Sequence, residues 1–206
     1  MLAHLLELDR GTFLALFGGK TPGPVLYVML GLTIIGRGYI IFALAALAVL
    51  PQAATRHLPR RIFSLERQRL ARELLVVLVG TALLVYAGKA LIQRPRPYLA
   101  LDLVPLGSAH TDFSCPSGHA AGAFCFAAFF VARLHPRLRT RAVLLGVAAG
   151  IALSRIYLGA HYPSDVLAGG LLGAACGGFA GRLFRQRAMA MAEAARQLAN
   201  TTTHGA

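Results

Sequence analysis

No tryptophan occurs among these 206 residues, only 8 are acidic, and charged side chains of either sign make up 14% of the chain. A water-facing surface needs roughly a quarter of its residues charged, so this composition excludes an ordinary soluble domain and a charge-rich disordered segment alike. Cysteine is scarce, at three residues. Cys115, Cys125 and Cys176 are an odd number without CxxC spacing, which excludes a disulfide framework and a zinc site and leaves free thiols. Internal repeats and flexible linkers are missing, so the chain reads as a single domain over residues 1–206. No small-residue cleavage site follows a clean apolar core near the amino terminus, which argues against a removed signal peptide.

What is present is apolar: hydrophobic residues make up 56% of the chain, and the net charge is +13 with 21 Lys and Arg. These cations neither cover a face nor alternate with aromatics, as a nucleic-acid surface requires. They fall in clumps between apolar stretches, so the expected solvent is a bilayer and no nucleic-acid partner is expected.

Residues 1–17 place Leu2, Leu5, Leu6, Phe13, Leu14 and Phe17 at roughly helical spacing among His4, Glu7, Asp9 and Arg10, a pattern suited to a helix lying in the membrane interface. Residues 24–50 are apolar except for Gly36-Arg37-Gly38. A continuous helix of that length would run about 40 Å against a hydrocarbon core of about 30 Å. A break at the glycines is therefore expected, with a short segment at 24–36 near one interface and a span from about 38 to 54 that keeps Arg37 near the surface. Four more spans are expected at about 72–92, 119–134, 142–158 and 164–184, all rich in the Gly and Ala that let helices pack closely in lipid. The expected fold class is thus all-α, a polytopic membrane helix bundle, with interfacial or N-terminal helices over 1–36, a helical core over 38–187 and a tail over 188–206.

Orientation follows from the arginines. Arg56, Arg60, Arg61, Arg67 and Arg69 fill one loop, Arg133, Arg137, Arg139 and Arg141 another, and Arg182, Arg185, Arg187 and Arg196 the tail. The positive-inside rule makes these segments cytoplasmic and places the loops at about 93–118 and 159–163 on the opposite, outer side. The unusual polar residues obey that parity. Lys89 ends one span and Arg96-Pro97 follows it; Pro116-Ser117-Gly118-His119 opens the next; Ser154-Arg155 ends a third; His161 and Asp165 open the last.

Lys89, Arg96 and Arg155 supply three cations, two of them forks matched to phosphate oxygens, where positive charge beside lipid calls for an anion. The backbone amides of Ser117 and Gly118 stand at a helix N-terminus, which favours a bound phosphate. With His161 and Asp165 four apart, the carboxylate is expected to hold the Nδ1 proton and leave Nε2 as a nucleophile, with His119 as general acid and base. Neither metal nor cofactor is expected.

Lys89-(six residues)-Arg96-Pro97, Pro116-Ser117-Gly118-His119 and Ser154-Arg155-(five residues)-His161-(three residues)-Asp165 resemble the three signature motifs of the type 2 phosphatidic acid phosphatase family. That superfamily includes membrane lipid phosphatases, glucose-6-phosphatase, bacterial soluble acid phosphatases and vanadium haloperoxidases. The resemblance covers residues 89–165 and departs from the pattern at no motif position. It implies a metal-independent phosphatase with a phosphohistidine on His161, protonation of the leaving oxygen by His119, orientation of His161 by Asp165, and phosphoryl binding by Lys89, Arg96, Arg155 and the Ser117–Gly118 backbone. It also implies a bundle that commonly has six spans, so five to six are expected here.

Other polar residues have plainer readings. Lys89 on its own would pass for an interfacial anchor, and Tyr98, Tyr157 and Tyr162 fit an aromatic belt as well as a substrate wall. His57 and His135 read as solvated, and His110, Asp102 and Asp112 as loop residues in water. Arg37 and Arg94 are candidate headgroup contacts, and Cys115 is a candidate reactive thiol.

The expected function is hydrolysis of a terminal phosphate from a lipid at the outer face of a plasma or inner membrane. Candidate substrates are undecaprenyl diphosphate, phosphatidate, phosphatidylglycerol phosphate and the 1-phosphate of lipid A. A phosphotransferase would use the same residues. A transporter is the non-enzymatic alternative, disfavoured because polar residues gather at one face and no inverted repeat is visible.

Overall fold

Seven helices follow one another in the computed structural model, which describes residues 2–19, 23–37 and 65–204. They are α1 (Leu2–Leu16), α2 (Pro24–Ile35), α3 (Leu65–Ile92), the single turn α4 (Pro97–Ala100), α5 (Gly118–Leu134), α6 (Leu138–Tyr157) and α7 (Pro163–His204). Every regular element among the described residues is helical. The expected span at 38–54 lies outside them.

Local chemistry sets the ends. Proline opens α2, α4 and α7, where its missing N–H costs nothing. Helix α2 stops at Ile35 with Gly36 as its cap, so the expected break at the glycines is present. Helix α3 carries Glu66 in its first turn and Lys89 in its last, each complementing the helix dipole. The segment 164–184 is part of a longer helix: α7 continues to His204, and the residues expected as a tail from 188 onward extend it. Beyond Gly181 neither proline nor glycine interrupts a run rich in Ala, Arg, Met and Gln, all good helix formers.

Helices α3 with the following turn, α6 and α7 are long and apolar enough to cross a membrane, while α2 and α5 are shorter apolar helices. Large apolar side chains face outward along these rods, among them Tyr86, Leu91, Leu171 and Phe179, each more than two-thirds exposed. The interior is built from small residues. Gly169, Gly173, Gly177 and Gly181 form a stripe on α7 against the backbone of α5. A Cβ on each would meet the carbonyl oxygens of Ser117 at 2.3 Å, Ala121 at 2.0 Å, Cys125 at 2.1 Å and Phe129 at 2.7 Å. The two helices therefore touch backbone to backbone over four successive turns, the arrangement that small residues permit in lipid.

Leu74, Val77 and Leu78 of α3 pack on Cys125 and Phe129 of α5, and Ala148 and Ile151 of α6 on Ala123 and Ala127. At the end of the bundle away from Lys89, buried Glu73 accepts from Arg69 at 3.2 Å and Arg133 at 2.8 Å, tying α3 to α5. Helix α1, expected in the interface, docks through Phe13, which is fully buried against Tyr162, Ala152 and Ile156.

Candidate active site

Four helix ends meet above this core. The C-terminal turn of α3 brings Lys89, the loop after it Arg96, the start of α5 His119, the end of α6 Arg155, the loop into α7 His161, and the first turn of α7 Asp165. Lys89, Arg96, Ser117, Arg155, His161 and Asp165 are all buried.

Arg96 donates through Nη1 to the Ala160 carbonyl at 2.9 Å and lies 3.3 Å from Nε2 of His161. A guanidinium can only donate, so the nitrogen facing it carries the lone pair and the ring proton belongs on Nδ1. Burial is the main influence on His161 and, with Arg96 and Arg155 nearby, pulls its pKa down to about 4 against the opposing pull of Asp165. The imidazole is thus neutral at physiological pH.

The expected direct bond between His161 and Asp165 is replaced by a bridged one. Nδ1 and Oδ2 stand 3.8 Å apart, too far for a hydrogen bond. Ser114 lies between them, donating its hydroxyl to Oδ2 of Asp165 with its Oγ 3.4 Å from Nδ1. The Tyr162 amide donates to the same oxygen at 2.9 Å. Ser114 was not singled out from the sequence; its place two residues before Pro116 is the only signal there.

The amide of Ser117 is also differently employed. It donates to the Asp165 carbonyl at 3.0 Å, which binds the start of α5 to the start of α7 and withdraws that N–H from an anion. The first intrahelical bond of α5 runs from Ala121 to Ser117, so the amides of Gly118, His119 and Ala120 precede it. Three buried side-chain atoms here have no hydrogen-bond partner: Oγ of Ser117, Nε2 of His119 and Nε of Arg155.

Two residues expected in water belong to the site. Asp112 accepts from Lys89, and from Arg96 through both its carboxylate, at 2.5 Å, and its backbone carbonyl, at 2.9 Å. Partial burial works against its ionisation, but the bonds from Lys89 and Arg96 outweigh it and hold the carboxyl at about 2. His110 lies 3.2 Å from Nη2 of Arg155, whose Nη1 donates to Thr33 of α2. Asp102 is exposed, as expected.

The two candidate headgroup contacts separate. Arg37 reaches Ser108 at 3.4 Å and lines a cavity of about 440 Å³ beside His119, Arg155 and His110, with Leu30 and Ile34 as its apolar wall. Arg94 turns the other way, so the expectation for it is corrected. It donates to Asp9 at 2.7 Å, Ser164 at 2.6 Å and Asp165 at 2.8 Å while lying 3.9 Å above the Tyr162 ring. Two carboxylates and an aromatic face outcompete an open cavity for one guanidinium. Burial, reinforced by Asp165, pushes the Cys115 thiol up to about 11, which removes it as a reactive thiol. Among the described residues, no three His, Cys, Asp or Glu side chains are grouped to hold a metal ion.

The chain is 41% identical over 109 residues to a lipid A 1-phosphatase of Rhizobium johnstonii, which covers 49% of this chain and 42% of that protein. It is 36% identical over 109 residues to phosphatidylglycerophosphatase B of Bacillus subtilis, covering 48% and 51%. It thus spans about half or less of the length of the curated relatives it matches. Two crystal structures are similar over more of the chain. One is LpxE of Aquifex aeolicus, with a TM-score of 0.65, 28% identity and coverage of 85% of this chain and 93% of that one. The other is a transmembrane PAP2-type phosphatidylglycerolphosphate phosphatase of Bacillus subtilis, with a TM-score of 0.69, 26% identity and coverage of 89% and 87%. The PAP2 superfamily model matches residues 70–189, a stretch that holds all three motifs, and the chain belongs to that superfamily.

Proposed function

We propose that this integral-membrane protein removes the terminal phosphate of a lipid phosphate or diphosphate through a phosphohistidine on His161. The observation that carries the reading is Arg96 at 3.3 Å from His161, Lys89 on the same Asp112 carboxylate as Arg96, and Arg155 lining one cavity with His119, with buried polar atoms of Ser117, His119 and Arg155 lacking a protein partner. Each such atom costs about 1–3 kcal/mol when left unpaired. A bound phosphoryl group relieves that cost and neutralises the cations.

In the first step Nε2 of His161 attacks phosphorus, the bond to the lipid oxygen breaks, and His119 gives that oxygen a proton. In the second, His119 takes a proton from water, the oxygen attacks phosphorus, and the P–N bond breaks to release phosphate. Lys89, Arg96, Arg155 and the first amides of α5 stabilise the charge on the phosphoryl oxygens throughout. Asp165, bridged by Ser114, keeps the proton on Nδ1. No metal or cofactor takes part.

The cavity beside His119 receives the leaving group, and Arg37 contacts its headgroup or second phosphate. Substrates in this reading are undecaprenyl diphosphate, phosphatidate, phosphatidylglycerol phosphate or the 1-phosphate of lipid A. Arginine placement supports an inner-membrane protein with its active site on the periplasmic side and its carboxyl terminus in the cytoplasm.

The test is phosphate release by detergent-purified protein in EDTA, across those four lipids, with His161→Ala as control. Chelator-resistant release that vanishes in His161→Ala is expected. Release abolished by EDTA overturns the metal-free mechanism, and radiolabel found in an acceptor lipid instead of free phosphate makes the protein a transferase.

Asp112 gives a second measurable expectation. Its carboxylate occupies the two cations that a phosphoryl group needs, so it competes with product. Asp112→Asn should lower the inhibition constant of inorganic phosphate roughly tenfold, the equivalent of one charge-assisted hydrogen bond. An unchanged or higher constant would show that Asp112 organises the cations and does not compete for them.

A further inference from the structure

Helix α1 lies outside the three motifs, yet it supplies a carboxylate to the site. We infer that Asp9 is a positioning residue for the reaction proposed above, acting through Arg94 on the carboxylate of Asp165. The inference rests on that reading and deepens it.

The connection is continuous. Oδ2 of Asp9 accepts from Arg94 at 2.7 Å, and the same guanidinium donates through its other nitrogen to Oδ1 of Asp165 at 2.8 Å. Oδ2 of Asp165 is left for the Ser114 hydroxyl and the Tyr162 amide, and Ser114 leads to Nδ1 of His161. Asp9 also accepts from the amide of Ser164 at 2.9 Å and from its hydroxyl at 2.5 Å, so it grips the first turn of α7 directly. Its side chain is 9% exposed and that of Asp165 fully buried. Phe13, one helical turn further along α1, packs on Tyr162 with ring centroids 5.5 Å apart, and the Gly18 amide donates to the Tyr157 carbonyl at 3.0 Å. The helix is thus fixed at the contact and again beyond its C-terminal end.

Charge explains why a second carboxylate is needed. Arg94 paired with Asp165 alone would concentrate its whole charge on the group that must hold the His161 proton, and would weaken that group as an acceptor. Sharing the guanidinium between two carboxylates keeps Arg94 in place and leaves the inner oxygen of Asp165 basic. Removal of Asp9 therefore acts on the chemical step. Phosphoryl binding, which belongs to Lys89, Arg96 and Arg155, is untouched.

The test is a double-mutant cycle with Asp9→Asn and Arg94→Gln, using whichever lipid the wild type hydrolyses. Asp9→Asn keeps the shape and one accepting oxygen, enough for the Ser164 amide, but loses the charge and the second acceptor. A fall in kcat of about tenfold is expected, with KM and the inhibition constant of inorganic phosphate unchanged, and with partial rescue in Asp9→Glu. The double variant should fall no further than Arg94→Gln alone. Additive losses, a parallel loss of phosphate affinity, or a lowered unfolding temperature with kcat intact would each overturn the inference and leave Asp9 a docking contact. Failure of the underlying reading is distinguishable, because His161→Ala would then retain the wild-type rate.

Discussion

Replacing His119 by alanine should lower kcat/KM for a lipid phosphomonoester by about 10²–10⁴-fold, the range for a lost general acid–base catalyst. A polyprenyl diphosphate should lose about tenfold or less in the same protein, within the usual variation in what one such group contributes. The difference follows from the leaving group. An alkoxide is a strong base and needs a proton as its bond to phosphorus breaks, whereas a departing phosphate is stable as an anion. His119 stands at the second position of α5, and its Nε2 is buried without a partner beside the cavity assigned to the leaving group. The measurement is kcat/KM for phosphatidate and for a polyprenyl diphosphate with wild type and His119→Ala. Equal losses would sink the leaving-group argument, since kcat/KM reports the steps up to departure of the leaving group.

The other large effect is on the fold. Gly173→Leu should abolish recovery of folded protein, and Gly173→Ala should lower the unfolding temperature in detergent. A Cβ at this position would lie 2.0 Å from the Ala121 carbonyl oxygen and 2.8 Å from its carbon, and backbone cannot step aside as a flexible side chain would. Overpacking of this kind costs about 1–3 kcal/mol. Gly80→Ala on α3 is the control, because nothing lies within 4 Å of a Cβ there. That substitution should be neutral or stabilising by up to about 1 kcal/mol, the helix preference of alanine over glycine. The chain lacks tryptophan, but Cys125 is fully buried and a thiol-reactive dye reports its exposure on heating. Equal midpoints for Gly173→Ala and Gly80→Ala would show that α5 and α7 are not held by their backbones.

The parts of this site legible in the sequence were those bound to a period or a motif. Lys89, His119, Arg155 and Asp165 sit at ends of apolar runs, and run length with arginine bias is enough to place those ends on one side. The members that escaped lie in loops or on the amphipathic first helix. Asp112 and His110 were read as solvated because nothing local in a loop distinguishes a carboxylate in water from one gripped by Lys89 and Arg96. Asp9 meets Arg94 across 85 positions and Arg94 meets Asp165 across 71. Pairings at such separation have no periodicity to betray them, and Arg94 was accordingly aimed at a headgroup. Helix α7 runs past its expected end because the arginines after Gly181 read as a cytoplasmic tail, although their neighbours favour helix.

The glycine stripe of α7 has a bearing on how the protein tolerates its surroundings. Membranes differ in thickness, and single helices answer by tilting or sliding at small cost. Two helices whose backbones interlock over four turns tilt only as a pair. His119 at the head of one and Asp165 at the head of the other are further pinned by the bond from the Ser117 amide to the Asp165 carbonyl. The spacing of the reacting groups is consequently insulated from lipid composition, and adaptation to a thicker or thinner bilayer falls to the helices outside this rigid pair.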